Sequence, residues 1–150
     1  MNARIAVVLT GASTGIGAAT AIALARRGTI VFAGVRNDVD AARLADQNDN
    51  ISPITLDVTD TASIAAAAEI VCAAGLQLRG LINNAGIVVA GPLEHVAKAD
   101  LRRQFDVNVF GQVAVTQAFL PQLREARGRI IFVGSISGRI AMPFMAPYSA

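Results

Sequence analysis

Thr10-Gly11-Ala12-Ser13-Thr14-Gly15-Ile16-Gly17 joins a short apolar run, residues 5–9, to an alanine-rich helical pattern beginning near Ile16. Strand, glycine loop and helix is the order this implies. The glycines let the chain turn sharply, bring main-chain N–H groups close to a pyrophosphate and let the helix pack tightly on the strand. The helix N-terminus behind the loop carries free N–H groups and a partial positive charge, which suits phosphate. The spacing is G-x-x-x-G-x-G rather than G-x-G-x-x-G, so these eight residues alone also fit an ordinary strand-to-helix turn. The flanking chain has to decide.

Outward from the loop the same alternation recurs. Residues 18–27 are mostly alanine, isoleucine and leucine and end in Arg26-Arg27-Gly28, a charged last turn with a glycine stop. A second strand is expected at 30–34, a short helix at 41–46 after Asn37, Asp38 and Asp40, and a third strand at 53–56 ending at Asp57. Thr59-Asp60-Thr61 caps a helix at 62–74 that Gly75 stops. The fourth strand, 80–82, closes on Asn83-Asn84-Ala85-Gly86. After Gly91-Pro92 and a short helical stretch at 93–96, one long helix is expected from 99 or 100 to about 126, kinked at Pro121. A fifth strand at 129–133 leads into a loop that runs to residue 150. Short apolar strands alternating with helices predict a doubly wound α/β fold with a parallel sheet in the order 3-2-1-4-5. The ligand crevice then lies at the carboxyl ends of strands 1 and 4. Residues 1–150 read as a single dinucleotide-binding domain without repeat, linker or boundary.

The totals agree with one core: 150 residues, 53% hydrophobic and 16% charged. A net charge of +2, with a pI near 9.3, is too slight to argue for nucleic acid. Met1-Asn2-Ala3-Arg4 lacks the features of a secretory signal, and the apolar stretch 107–120 is interrupted by Asn108, Gln112, Thr116 and Gln117. A soluble cytoplasmic protein without a membrane span is expected. Cys72 is the one cysteine, which excludes an internal disulfide, and its place in the helical pattern 64–74 reads as a small buried hydrophobe. No His, Cys and carboxylate cluster suggests a metal. His95 and Lys98 read as solvated helix-face residues.

These motifs resemble the short-chain dehydrogenase/reductase family across residues 4–150. Residues 10–17 match its TGxxxGxG loop, Asn83-Asn84-Ala85-Gly86 its NNAG segment, Asn108 its helix asparagine, Ser135 its serine, and Tyr148-Ser149-Ala150 the opening of its YxxxK motif. The resemblance implies a Rossmann-like sheet, incomplete here at its C-terminal edge. It also implies cofactor contacts from Gly11, Ser13, Thr14, Gly15, Ile16 and Gly17. At the end of the second strand an NAD-preferring fold usually places an acid, whereas Val35 stands there with Arg36 next to it. A guanidinium can make charge-assisted bonds to a 2′-phosphate, so NADP (NADPH) is expected and NAD disfavoured. The other reading of Arg36 is a solvated turn residue, and Thr14 is not basic. The resemblance places Asp57 and the Val58 N–H at the adenine. Asp57 also fits a cap on the turn into Thr59. By the same likeness Asn84 and Ala85 lie along the adenosine ribose and Gly86 allows close backbone approach, while Asn83 is structural and ties neighbouring strands.

For the chemistry, the resemblance makes Asn108, Ser135 and Tyr148 catalytic. Tyr148 gives a proton to a forming alkoxide or takes it from an alcohol, and Ser135 hydrogen-bonds the same oxygen. Asn108 lies in apolar surroundings, so its amide needs backbone or water if buried. The likeness has it hold a water that relays protons to a lysine four residues beyond the tyrosine. That lysine would be residue 152, so the 150-residue chain is expected to be catalytically incomplete. The implied function is hydride transfer between NADP(H) and a small-molecule carbonyl or alcohol, by a homo-oligomer when complete. Two other readings share most of the motifs: a non-catalytic nucleotide-binding module, and an interaction protein that uses the apolar helix 107–120 as a contact.

Overall fold

Alternation of buried side chains along the strands puts a core on each face of one parallel sheet. The computed structural model describes residues 4–140 and 142–150. Its strands are β1 (Ile5–Leu9), β2 (Ile30–Val35), β3 (Ile51–Thr55), β4 (Gln77–Asn83) and β5 (Arg129–Phe132), in the order β3-β2-β1-β4-β5. The expected topology is therefore the observed one. On one face Ala6, Val8, Phe32 and Ile54 pack against helices α3 (Thr61–Ala73) and α5 (Gln112–Glu125), which contribute Ile64, Ala67, Val71, Val115, Phe119 and Leu123. On the other, Leu9, Val31, Ala33 and Val35 meet α1 (Gly15–Arg26) and α2 (Asp38–Ala45) through Ala21, Ala25 and Leu44. Alanine at 21 and 25 keeps α1 close to the sheet. Winding reverses between β1 and β4, so the crevice opens there.

Several elements depart from the sequence reading. Residues 98–125 are not one helix. The helix α4 (Lys98–Phe105) passes into a π-helical turn, Asp106–Gly111, before α5 continues through Pro121. A Cβ on Gly111 would lie 2.7 Å from the Val58 carbonyl oxygen and 2.9 Å from that of Asp106, so the turn seats directly on the loop after β3. Cys72 is exposed, not buried. The buried stripe of α3 is Ile64, Ala67 and Val71, and the next residue points about 100° away from Val71. α2 starts at Asp38, three residues early, because the Asn37 side chain accepts the Asp40 N–H at 2.8 Å. The loop after β5 contains a 3₁₀ turn, Ile136–Gly138, and a one-turn helix, α6 (Ala146–Ser149), that carries Tyr148.

Candidate functional site

The crevice is built where β1 and β4 end side by side. Thr10, fully buried, accepts the Asn84 N–H at 3.0 Å and the Ala85 N–H at 2.9 Å on its hydroxyl oxygen. The Asn84 side-chain amide returns two bonds, donating to the carbonyls of Thr10 and Gly11 at 3.0 Å each. These four bonds lock the glycine loop onto the NNAG segment. Asn84 thus works first as a clasp, and Asn83 ties β4 to a helix rather than to a strand, donating to the Thr116 hydroxyl on α5 at 3.0 Å.

Close packing explains two of the glycines. Gly11 has φ +64, and a Cβ there would lie 2.8 Å from the Ala85 Cα. A Cβ on Gly17 would fall onto the Gly11 carbonyl oxygen and lie 2.7 Å from the Asn84 amide nitrogen. Thr14 caps α1 by backbone alone, with no side-chain bond to the first turn. The orphan N–H groups of that turn remain available to an anion.

A cavity of about 460 Å³ follows this loop. Gly11, Ser13, Thr14, Ile16, Gly17, Arg36, Asp57, Val58, Asn84, Ala85 and Gly86 all line it, while Gly15 does not. Asp57 does cap the turn: its Oδ1 accepts the Thr59 N–H at 2.9 Å and the Thr59 hydroxyl at 2.7 Å. Those bonds hold its carboxyl below the usual carboxylate range, with Arg36 adding a smaller attraction. A second cavity, about 220 Å³, is lined by Ser135, Tyr148, Asn108, Gln104 and Gln112, and it shares Ala85 and Gly86 with the first. The three expected catalytic residues therefore converge on one space. Ser135 accepts the Ser137 N–H at 3.1 Å, leaving its own hydroxyl proton free to point elsewhere. The half-buried Asn108 amide bonds both main-chain groups of Ile87, accepting its N–H at 2.9 Å and donating to its carbonyl at 2.8 Å.

Three side chains escaped the sequence reading. Arg43 donates to the Ser13 carbonyl and pairs with Asp40 at 2.6 Å, so α2 supports the glycine loop. That pair, with Asn37, holds the Asp40 carboxyl below its ordinary range. The i, i+3 spacing of Asp40 and Arg43 was the available signal. Arg103 lines the first cavity from α4. Gln104, 3% exposed, accepts the Val89 N–H at 2.6 Å and donates to the Pro147 carbonyl. Among the described residues there is no group of three or more His, Cys, Asp or Glu that could hold a metal ion, and no helix is long and apolar enough to cross a membrane.

A doubly wound sheet with a glycine-bordered crevice at its switch point defines the class of nucleotide-binding α/β domains. The family model for short chain dehydrogenases matches residues 5–150, and the chain belongs to that family. It is 41% identical over 148 residues to a 3-amino-tetrahydro-pyrrolizinone reductase of Xenorhabdus hominickii, covering 97% of this chain and 51% of that protein. It is 36% identical over 153 residues to an NADPH-dependent 3-dehydrocapnine reductase of Ornithobacterium rhinotracheale, covering 95% of this chain and 53% of the relative. The crystal structure of a short-chain dehydrogenase from Streptomyces avermitilis superposes with a TM-score of 0.90 at 33% identity, covering 99% of this chain and 55% of that one. The chain spans about half the length of the curated relatives it matches. The residues present fit the nicotinamide dinucleotide that the family binds: Gly11 and Gly17 pack the loop against Ala85 and Asn84 along the cavity, and the first turn of α1, uncapped by a side chain, borders the same space.

Proposed function

We propose that this chain binds NADP(H) in preference to NAD(H) and reduces a small-molecule carbonyl, or oxidises the corresponding alcohol. The observation that carries the reading is the shared corner at Ala85 and Gly86, which places the space lined by Ser135 and Tyr148 directly beside the glycine cradle. The cofactor, when bound, supplies the hydride chemistry. Gly11, Ser13, Thr14, Ile16 and Gly17 border its phosphates. Asp57, Val58, Asn84, Ala85 and Gly86 line its adenosine half. Arg36 at the end of β2, with Val35 in place of an acid, supports the choice of NADP. A relative bearing NADPH in its name agrees with that choice.

Tyr148 donates its phenolic proton to the substrate oxygen as negative charge develops there, and recovers it in the reverse direction. Ser135 donates its free hydroxyl proton to the same oxygen. Asn108 holds Ile87 by both main-chain groups, so it serves the site by fixing that wall. Self-association would cover Val109, Phe110 and Val113, three exposed apolar residues around the π-helical turn.

Titration with NADPH and NADH tests the cofactor assignment without requiring turnover. An ionic hydrogen bond contributes about 1.5–3 kcal/mol, so Arg36→Ala should remove roughly a 10- to 100-fold preference for NADPH. Equal affinities in the unmutated protein, or a preference that survives Arg36→Ala, would refute it.

A further inference from the structure

Gln104 touches nothing that reacts, yet it is the buried side chain that connects the tyrosine turn to the body of the domain. We infer that Gln104 is a positioning residue for Tyr148, resting on the reading of Tyr148 as proton donor. Its Oε1 accepts the Val89 N–H and its Nε2 donates to the carbonyl of Pro147, so one carboxamide bridges α4, the segment after β4 and α6. The Pro147 carbonyl belongs to the peptide that leads into Tyr148. Gripping it fixes the plane of that peptide, and with it the direction in which the Tyr148 side chain leaves the backbone.

α6 also packs on the 3₁₀ turn Ile136–Gly138. Gly91 N–H donates to the Phe144 carbonyl at 2.7 Å, and Phe144 itself sits at φ +65, a region few non-glycine residues adopt. Pro147 is buried whereas Phe144 is 63% exposed, so the anchoring lies at the Gln104 end. Asn108, one turn further along, bonds both main-chain groups of Ile87, whereas Gln104 takes only the Val89 N–H and reaches Pro147 with its other end. The two amides thus fix alternate residues of one segment, and Gln104 passes the constraint on to the tyrosine.

The sequence supplies its own probe. Tyr148 is the one tyrosine and there is no tryptophan, so tyrosine emission reports that single ring. Gln104→Leu keeps the bulk and removes both bonds. Acrylamide quenching of the emission should rise toward that of a free tyrosine while cooperative unfolding persists. In turnover assays kcat should fall roughly 10- to 100-fold, the loss that misplacement by about 1 Å produces, with KM for NADPH unchanged. Gln104→Glu separates the two bonds. Its carboxylate still accepts the Val89 N–H but can donate to Pro147 only when protonated, and Tyr148 is the only ionisable side chain among the residues lining the cavity. Quenching in this variant should therefore be native-like at low pH and rise in a one-proton step as pH increases, a step absent from the unmutated protein. Unchanged quenching in a folded Gln104→Leu overturns the inference. If that variant does not fold, a Gln104→Glu protein without the pH step overturns it. Full turnover by Tyr148→Phe, together with the quenching changes of the Gln104 variants that keep Tyr148, would instead refute the proposed function and leave the coupling standing.

Discussion

Gly17→Ala should damage cofactor binding far more than folding, and the geometry sets the size of both effects. The new Cβ would overlap the Gly11 carbonyl oxygen and approach the Asn84 amide nitrogen to 2.7 Å and the Ala12 Cα to 3.0 Å. Two of these three atoms are loop backbone, so the loop has to shift, at the roughly 1–3 kcal/mol typical of overpacking. Alanine recovers up to about 1 kcal/mol of helix propensity. The net loss is about 1 kcal/mol, or roughly 2–4 °C in Tm for a chain of this size. Binding loses more, because a displaced loop forfeits one or two N–H bonds to phosphate at about 1.5–3 kcal/mol each, which is roughly 10- to 100-fold or more in Kd. Gly15→Ala is the control. Gly15 has φ +56 with nothing within 4 Å of a Cβ and does not line the cavity. It should lose about 1–2 kcal/mol to left-handed strain and keep most of its affinity. Calorimetric titration with NADPH beside thermal unfolding reads both quantities. Unchanged affinity in Gly17→Ala would refute the assignment of the cradle.

Other consequences are separately measurable. Thr59→Val removes one of the two bonds to Asp57, so the carboxyl should titrate closer to its ordinary range by NMR. Because the folded-state pKa is depressed, the linked stability is present above the unfolded value and lost as pH falls through the folded one. In Thr59→Val that contribution should be smaller and its loss should be complete at higher pH. Arg43→Met frees the Ser13 carbonyl and unpairs Asp40. NADPH affinity should drop severalfold, with hydrogen exchange rising in the 10–17 loop, and unchanged exchange there would exclude α2 as its support. Ile131 and Phe132 are 51% and 54% exposed on an edge strand bonded only to β4. The 150-residue chain should self-associate, and Ile131→Lys should shift sedimentation toward monomer.

The parts of the molecule legible in the sequence were those set by local chemistry. Apolar runs bounded by glycine and polar caps marked all five strands, and the switch-point rule followed from their order. The π-helical turn was not legible. It lies where Gly111 meets the Val58 carbonyl, a contact between segments some fifty residues apart that periodicity cannot register. Cys72 was misplaced for a related reason: α3 is so rich in alanine that its sequence hardly distinguishes a buried face from an exposed one. The candidate site residues were named by motif and resemblance, but their hydrogen-bond partners were not. Asn84 was read as a cofactor contact by resemblance, and only the fold shows its amide turned back on Thr10 and Gly11.

The segment beyond β4 shows why three carboxamides follow one another at intervals of four. Past Asn83 the chain leaves the sheet, so its main-chain groups need partners that are not strands. Thr10 takes the N–H groups of Asn84 and Ala85, Gln112 donates to the Ala85 carbonyl at 3.2 Å, Asn108 takes both groups of Ile87, and Gln104 takes the N–H of Val89. Residues 104, 108 and 112 thus act as a side-chain strand laid antiparallel to 85–89. A regular α-helix could not hold that line well, because each step of four advances about 40° around the axis. The wider π turn at Asp106–Gly111 takes up part of the drift and keeps the amides on one side. The distortion therefore has a use. It lets a helix serve as the missing neighbour of a strand, at the corner where the cofactor crevice and the tyrosine cavity meet.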